Sequence, residues 1–236
     1  MTKPAETNCG KCGLCLSVCP VYNELREEHA SPRARMQLIK SHDEKTLASS
    51  PFLKEIMSKC LMCGSCAAMC PSGINHYEAF MKMREKMARD HGEPPAIKSL
   101  IYLLGRDYRT QIGSKLAKTG QSILPDTIAQ QYNIGNIPLS RLPKLNKKPF
   151  RQACGDVSAP RKKQKGSVAY FTGCATNFLY EDTGYAAVNI LNTLGYKVII
   201  PKNQTCCSIP LLFHGAADKA QVNIKTNISH FKDLEV

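Results

Sequence analysis

The chain has 236 residues, 43% of them hydrophobic and 22% charged. That globular balance excludes wholesale disorder, and no apolar run reaches the ~18 residues of a membrane-spanning helix. Basic residues number 32 against 19 acidic, a formal charge of +13; two thiolate-ligated cubanes, each adding about −2, would leave about +9. Trp is absent and aromatics make up 7%, which removes the stacking platform of a single-strand nucleic-acid binder, and no nucleic-acid partner is expected.

Residues 1–8 lack a basic segment followed by an apolar run, so no secretory signal is read ahead of the cysteines and a reducing, cytoplasmic setting is expected. Twelve cysteines there point to metal ligands or redox groups rather than to a disulfide framework. One motif is repeated: Cys9-x2-Cys12-x2-Cys15-x3-Cys19-Pro20 recurs as Cys60-x2-Cys63-x2-Cys66-x3-Cys70-Pro71. Three thiolates at three-residue spacing can wrap one face of an iron-sulfur cubane, and Gly10, Gly13 and Gly64 let the loops turn tightly around it. The fourth cysteine of each motif cannot close its own site; in two-cluster ferredoxins it ligates the other cluster. The expected sets are Cys9, Cys12, Cys15 and Cys70 for one [4Fe-4S] cluster, and Cys60, Cys63, Cys66 and Cys19 for the second. Zinc, the competing metal, favours two separated Cys-x-x-Cys pairs over two evenly spaced trios.

Between the motifs, Ser31-Pro32-Arg33-Ala34-Arg35 reads as a helix start with surface arginines, a partner-docking role being the alternative. Phe52, Leu53, Ile56 and Met57 fall on one helical face before Cys60. After the second motif Tyr77, Phe80, Met81, Arg84 and Met87 continue the helical spacing until Gly92-Glu93-Pro94-Pro95 stops it, and the methionines read as core, not ligands. A helical two-cluster module over residues 1–93 is expected, resembling the ferredoxin half of succinate dehydrogenase iron-sulfur subunits.

Residues 94–166 form the expected linker, with a helix over 97–104 ended by Gly105 and a turn-rich stretch over 134–149. Its segment 141–165 holds Arg141, Lys144, Lys147, Lys148, Arg151, Arg161, Lys162, Lys163 and Lys165 against Asp156 alone. Interrupted by Pro143, Pro149, Gly155, Pro160 and Gly166, it reads as a solvated linker, with nucleic acid, anionic lipid or an acidic partner as the alternatives. Cys154, without partner spacing, reads as an unligated thiol.

From residue 167 the period changes: a strand over 167–172, a helix over 182–194 closed by Gly195, a strand over 197–201, and a final helix over 215–231 with Ala220, Ile224, Ile228 and Phe231 on one stripe. This β-α-β unit places Cys174 after its first strand and Cys206-Cys207 after its second, beyond the carboxyl ends where open α/β sheets put their sites.

Three pieces taken together resemble one family: the doubled ferredoxin motif; Leu142-Pro143 with Pro149-Phe150-Arg151; and Phe171-Thr172-Gly173-Cys174 leading to Gln204-Thr205-Cys206-Cys207. The chain looks like the iron-sulfur subunit of glycolate or lactate oxidase, in the family that includes the D subunit of heterodisulfide reductase and the C subunit of anaerobic glycerol-3-phosphate dehydrogenase. The resemblance implies an α+β chain: an N-terminal helical two-cluster ferredoxin domain (1–93), a linker (94–166), and the first part of an α/β cysteine-rich "CCG" domain (167–236). It offers Cys174, Cys206 and Cys207 as cofactor-binding residues, a further cluster forming only if missing ligands are supplied, because no later Cys-x-x-Cys follows and the sequence looks like a short form or a fragment. Ser208 stands where the family has the glycine that names the domain, leaving the tight turn after Cys207 without its usual residue. The implied function is electron transfer from an FAD-binding 2-hydroxy-acid dehydrogenase subunit, acting on glycolate or lactate, through two [4Fe-4S] clusters to a quinone or other acceptor. The implied setting is cytoplasmic, or peripheral on the inner membrane face beside a quinone-side partner. Disulfide reduction at Cys174, Cys206 and Cys207, as in heterodisulfide reductase, is the alternative.

Overall fold

The computed structural model describes residues 9–123, 133–134, 137–138, 141 and 143–236. They fall into two compact units, Met1–Ile101 with Ile209–Asp218, and Tyr102–Ser208 with Lys219–Val236. Helices dominate and one three-stranded sheet accompanies them, so the α+β class holds.

The first unit is built on α1 (Leu14–Ser17), α2 (Pro20–Leu25), α3 (Pro32–Asp43), α4 (Pro51–Ser58), α5 (Ser65–Ala68) and α6 (His76–His91), followed by α7 (Pro95–Leu104), which belongs to it as far as Ile101 and to the second unit from Tyr102. Side-chain caps set several of these starts. Ser31 Oγ accepts from Ala34 N at 3.0 Å, Ser50 Oγ from Leu53 N at 3.1 Å and Asn75 Oδ1 from Glu78 N at 3.2 Å, the two serines each followed by Pro at the first helical position. Cys19 does the same for α2 with sulfur, accepting from Tyr22 N at 3.4 Å ahead of Pro20. Helices α3 and α4 pack on α6 around Met36, Ile39, Leu53, Met57, Phe80, Met83 and Met87. The methionines are core, as expected. Phe52 is not: it is 61% exposed, with its ring 6.1 Å from that of His29. The buried arc of α4 is Leu53, Ile56 and Met57, and Phe52 lies about 90° round the helix from its middle.

The second unit holds α8 (Asp107–Ile123), an antiparallel pair β1 (Asn133–Ile134) and β2 (Ile137–Pro138), α9 (Phe150–Cys154), β3 (Val157–Ser158), β4 (Gly166–Ala169), α10 (Gly173–Phe178), α11 (Glu181–Leu194) and β5 (Tyr196–Ile199). Of the last two helices, α12 (Ile209–Phe213) belongs to the first unit, and α13 (Ala217–Phe231) supplies the second from Lys219 onward. The sheet order is β3-β5-β4; β4 runs parallel to β5 with Val168 opposite Val198, and β3 is antiparallel to β5. The expected β-α-β unit is therefore present, its strands shorter than the pattern indicates. Phe150, Val188, Val198 and Ile200 form the core beside it. Gly184 in α11 admits the Phe150 ring, since a Cβ there would lie 2.7 Å from it.

One expectation changes here, that for α13. The stretch read as a basic helical or irregular linker carries the 17-residue helix α8, whose apolar positions Ile112 and Leu116 are exposed. Part of the turn-rich stretch 134–149, Leu142 included, lies outside the described residues. On α13 the buried positions are Ala220 and Asn223, whereas Ile224 and Ile228 are 37% and 58% exposed. Polar demand turned that helix: Asn223 Nδ2 donates to Leu104 O at 2.9 Å, and Asn227 Oδ1 accepts from Thr205 N at 2.8 Å. Among the described residues no helix is long and apolar enough to cross a membrane.

Candidate metal centres

The two cysteine motifs fold alike. In each loop two positions take left-handed backbone angles: Lys11 (φ 57°) and Gly13 (φ 82°) in the first, Met62 (φ 54°) and Gly64 (φ 79°) in the second. The glycines are free to do so, while Lys11 and Met62 adopt a conformation that costs a side-chain-bearing residue about 1–2 kcal/mol. These alternating turns curl the backbone so that successive cysteines face one space. Sulfur is already used as an acceptor, since Met62 N donates to Cys60 Sγ at 3.4 Å, matching the bond from Tyr22 N to Cys19 Sγ.

The thiols sort into two cavities, each with three from one motif and the fourth from the other. Cys9, Cys12, Cys15 and Cys70 line one, with Arg33 and His76. Cys60, Cys63, Cys66 and Cys19 line the second, with Arg35, Tyr77 and Phe80. No disulfide joins any of the twelve cysteines, and among the described residues no three Cys, His, Asp or Glu side chains form a closed metal-ligand group. The cavities are walls of thiol around a space, not finished coordination shells.

Their electrostatics are those of thiols awaiting a cation. Burial, with the negative charge Cys60 would carry nearby, pushes the Cys66 thiol up to about 12, and burial beside Cys9 raises Cys15. Cys63 alone is lowered, by the Ser65 hydroxyl 3.4 Å from its sulfur. Thiols crowded this way need bound metal to lose their protons. A thiolate-only donor set, four to a cavity, with N–H···S bonds in place, fits an iron-sulfur cluster.

Arginines complete the setting. Arg84, buried in α6, donates to Met57 O (3.0 and 2.8 Å), Ser58 O (2.9 Å), Cys60 O (2.5 Å) and Phe213 O (3.1 Å), closing the C-terminus of α4 and fixing the Cys60 peptide. Arg33 is half-exposed and bound to Glu28 at 2.7 and 3.2 Å, which holds that carboxyl below its usual range. Arg35, expected at the surface with Arg33, is instead 1% exposed. The signal is in the sequence: Pro32, Arg35, Met36 and Ile39 are the buried face of α3, so Arg35 occupies an apolar stripe.

In the second unit Cys174 sits in the first turn of α10 and Cys206 and Cys207 follow β5. Cys206 donates its thiol proton to Cys174, lowering Cys174 to about 7, and is itself raised by its bonds to Cys174 and Cys207. Gln204, fully buried, ties the two loops together: Oε1 accepts from Thr172 N (2.8 Å) and Thr172 Oγ1 (3.2 Å), and Nε2 donates to Tyr170 O (2.9 Å). Asn227 Nδ2 donates to Cys206 O at 3.1 Å. Arg151, read as part of a solvated basic stretch, is buried at 4% exposure. Its Nη1 donates to Lys202 O (2.8 Å) and to Gln204 O, and its Nη2 faces Asp107 at 3.5 Å; the other described lysines and arginines of that stretch are exposed. Ser208 takes φ 70°, the glycine conformation, and donates its N–H to Cys206 Sγ at 3.4 Å, so the turn forms with serine. Cys154, half-buried in α9, lies apart from these groups and lines an open cleft with Tyr185 and Asn192.

Residues 6–74 match the family model of a 4Fe-4S dicluster domain, and residues 168–236 match that of a cysteine-rich domain, CCG. Among curated proteins, the probable glycolate oxidase iron-sulfur subunit of Bacillus subtilis is 26% identical, over 97% of this chain and 54% of its own length. The C subunit of anaerobic glycerol-3-phosphate dehydrogenase from Escherichia coli is 24% identical over 99% and 58%. The D subunit of dihydromethanophenazine:CoB--CoM heterodisulfide reductase from Methanosarcina mazei is 25% identical over 88% and 47%. The chain spans about half the length of these relatives. No solved structure matches it. The doubled motif lies inside the first match and Cys174, Cys206 and Cys207 inside the second, so the chain carries a 4Fe-4S dicluster domain followed by a cysteine-rich CCG domain.

Proposed function

We propose that this chain is the iron-sulfur electron-transfer part of an oxidoreductase, receiving electrons from an FAD-binding subunit that oxidises a 2-hydroxy acid such as glycolate or lactate and delivering them toward a quinone or other acceptor. The observation that carries the reading is the sorting of eight thiols into two cavities, three from one motif and one from the other in each. Cys9, Cys12, Cys15 and Cys70 would hold one [4Fe-4S] cluster, and Cys60, Cys63, Cys66 and Cys19 the other, each supplying one-electron redox chemistry when bound. The chain's own contribution is to gather the thiolates around each cavity, to donate N–H groups to sulfur, and to fix the Cys60 loop through Arg84. The named subunit of Bacillus subtilis supports the 2-hydroxy-acid assignment.

The test has two parts. Anaerobic reconstitution should give about eight irons and eight acid-labile sulfides per chain; stoichiometric zinc with little iron would end the proposal. Co-purification with a flavoprotein and bleaching of cluster absorbance by glycolate or lactate would support the substrate class. A second reading, disulfide reduction at Cys174, Cys206 and Cys207, draws support from the Cys206-to-Cys174 hydrogen bond, and turnover of a disulfide without response to hydroxy acids would favour it.

A further inference from the structure

The cavity lined by Cys19, Cys60, Cys63 and Cys66 has an unusual wall. Arg35 lines it, almost fully buried, and only its Nε is engaged, donating to Ile56 O at 3.2 Å. Both terminal nitrogens, Nη1 and Nη2, are buried without a hydrogen-bond partner. Arg84 stands close enough to raise the local positive charge and is also buried. Among the described residues neither arginine forms an ion pair. A buried guanidinium with unpaired N–H groups is strongly unfavourable, so whatever completes this cavity must bring negative charge and acceptor atoms. The other cavity differs: its arginine, Arg33, is half-exposed and already neutralised by Glu28.

We propose that Arg35 is the charge partner of the centre held by Cys19, Cys60, Cys63 and Cys66, donating its two terminal N–H arms to sulfur and making this the higher-potential of the two centres. The inference rests on the cluster assignment above. Four thiolates on an iron-sulfur core give a site of about −2, and accepting one electron makes it more negative. A fixed positive charge stabilises the reduced form more than the oxidised form, and hydrogen bonds to sulfur act in the same sense. The cations at the first centre are screened, Lys11 being exposed to water and Arg33 neutralised by Glu28. The difference sets a direction: an electron shared between the two centres rests on the one beside Arg35.

The experiment is an anaerobic redox titration of the reconstituted 236-residue chain, followed by electron paramagnetic resonance, with Cys19→Ser identifying which signal belongs to which centre. Arg35→Gln should shift the reduction equilibrium of the higher-potential centre at least tenfold toward the oxidised form, 59 mV for a one-electron couple, and leave the other within threefold. Arg33→Gln should move neither centre by tenfold. Two intact centres with unmoved potentials in Arg35→Gln would overturn the role of Arg35 while leaving the cluster assignment standing. A wild-type chain that takes up no cubane would instead fail the assignment itself. Should Arg35→Gln not assemble the second centre, uptake is compared in Arg35→Lys and Arg35→Met. Assembly with Lys alone supports charge compensation; assembly with both, or with neither, overturns it.

Discussion

The two thiol-bearing regions of this chain solve the same problem in opposite ways. Around Cys174, Cys206 and Cys207 the protein supplies its own partners: Gln204 makes three hydrogen bonds between the loops, Asn227 holds the Cys206 carbonyl, and buried Arg151 has Asp107 as counter-charge. Around the doubled motif, thiols crowd each other in apolar walls, and among the described residues Arg35 forms no ion pair and leaves both terminal nitrogens without a hydrogen-bond partner. In one region protein atoms meet most of the demand, leaving only Arg151 Nε of that arginine unpartnered; the other calls for something with charge of both signs, iron to take the thiolates and sulfur to take the arginine.

The largest test of that difference is iron removal. Without metal the first unit keeps protonated thiols, an empty wall and an unpaired buried cation, so chelation should abolish helical circular dichroism and amide protection in α3, α4 and α6. Protection in β4, β5 and α11 should persist, because their packing on Phe150 and Val198 needs no metal. Full protection of α3 in iron-free protein would break the comparison.

Next in size is Cys19→Ser. Cys19 follows the first motif in sequence yet lines the cavity of the second, so its loss should reduce iron from about eight to about four per chain and spare the centre of its own trio. Loss of the signal from Cys9, Cys12 and Cys15 instead would refute the pairing. Iron near twelve in the unsubstituted chain would show that Cys174, Cys206 and Cys207 also hold a cluster without further ligands.

Much of this was legible in the sequence because ligand chemistry is local: the repeated spacing, Gly13 and Gly64, and the β-α-β pattern before Cys206 all stand within short windows. The scaffolding was not, because it is built from contacts distant along the chain. Arg84 reaches Met57 and Cys60, Arg151 reaches Lys202, and Gln204 reaches back to Tyr170. A basic residue in a run of lysines gives no sign that it is the buried one. Arg35 is the intermediate case, since its place on the apolar stripe of α3 can be counted, but what it faces cannot. Lys11 and Met62 show the same limit, as nothing in their side chains announces a left-handed backbone.

On the self-sufficient side of the comparison, Gln204→Ala strands the Thr172 N–H and the Tyr170 carbonyl in a buried site. A cost of about 2–3 kcal/mol is expected, read as a lower denaturant midpoint for the second unit with no change in iron content. An unchanged midpoint would mean that these loops, too, are held by something outside the chain.

A smaller effect should appear in the chemistry of Cys174. With its thiol lowered from 9.0 to about 7 by the Cys206 hydrogen bond, it is thiolate above that value and protonated below it, so alkylation should rise through pH 7. In Cys206→Ala the donor is gone, the midpoint moves back toward the ordinary thiol range, and the rate at pH 7 should fall roughly tenfold. Site-resolved mass spectrometry of alkylated peptides separates Cys174 from exposed Cys207. Identical pH profiles in the two proteins would remove the hydrogen bond as the cause.

The smallest expected effect tests how far the second region tolerates a residue its geometry does not favour. Ser208 is fully buried and left-handed, and its Oγ lies 3.5 Å from the Cys206 carbonyl, too long to be a strong bond. Glycine would relieve a left-handed strain of about 1–2 kcal/mol but restore freedom to the unfolded chain, which opposes it by about 0.4–1 kcal/mol. The N–H bond to Cys206 Sγ survives either way, because it comes from the backbone. Ser208→Gly should therefore raise stability by about 0.5–1 kcal/mol, seen as a small upward shift of the denaturant midpoint, while the Cys174 alkylation profile and the iron count stay as they are. A clear loss of stability would mean that the serine hydroxyl holds the thiol loop, and the second region would then owe its order to one more protein-supplied contact than its distances indicate.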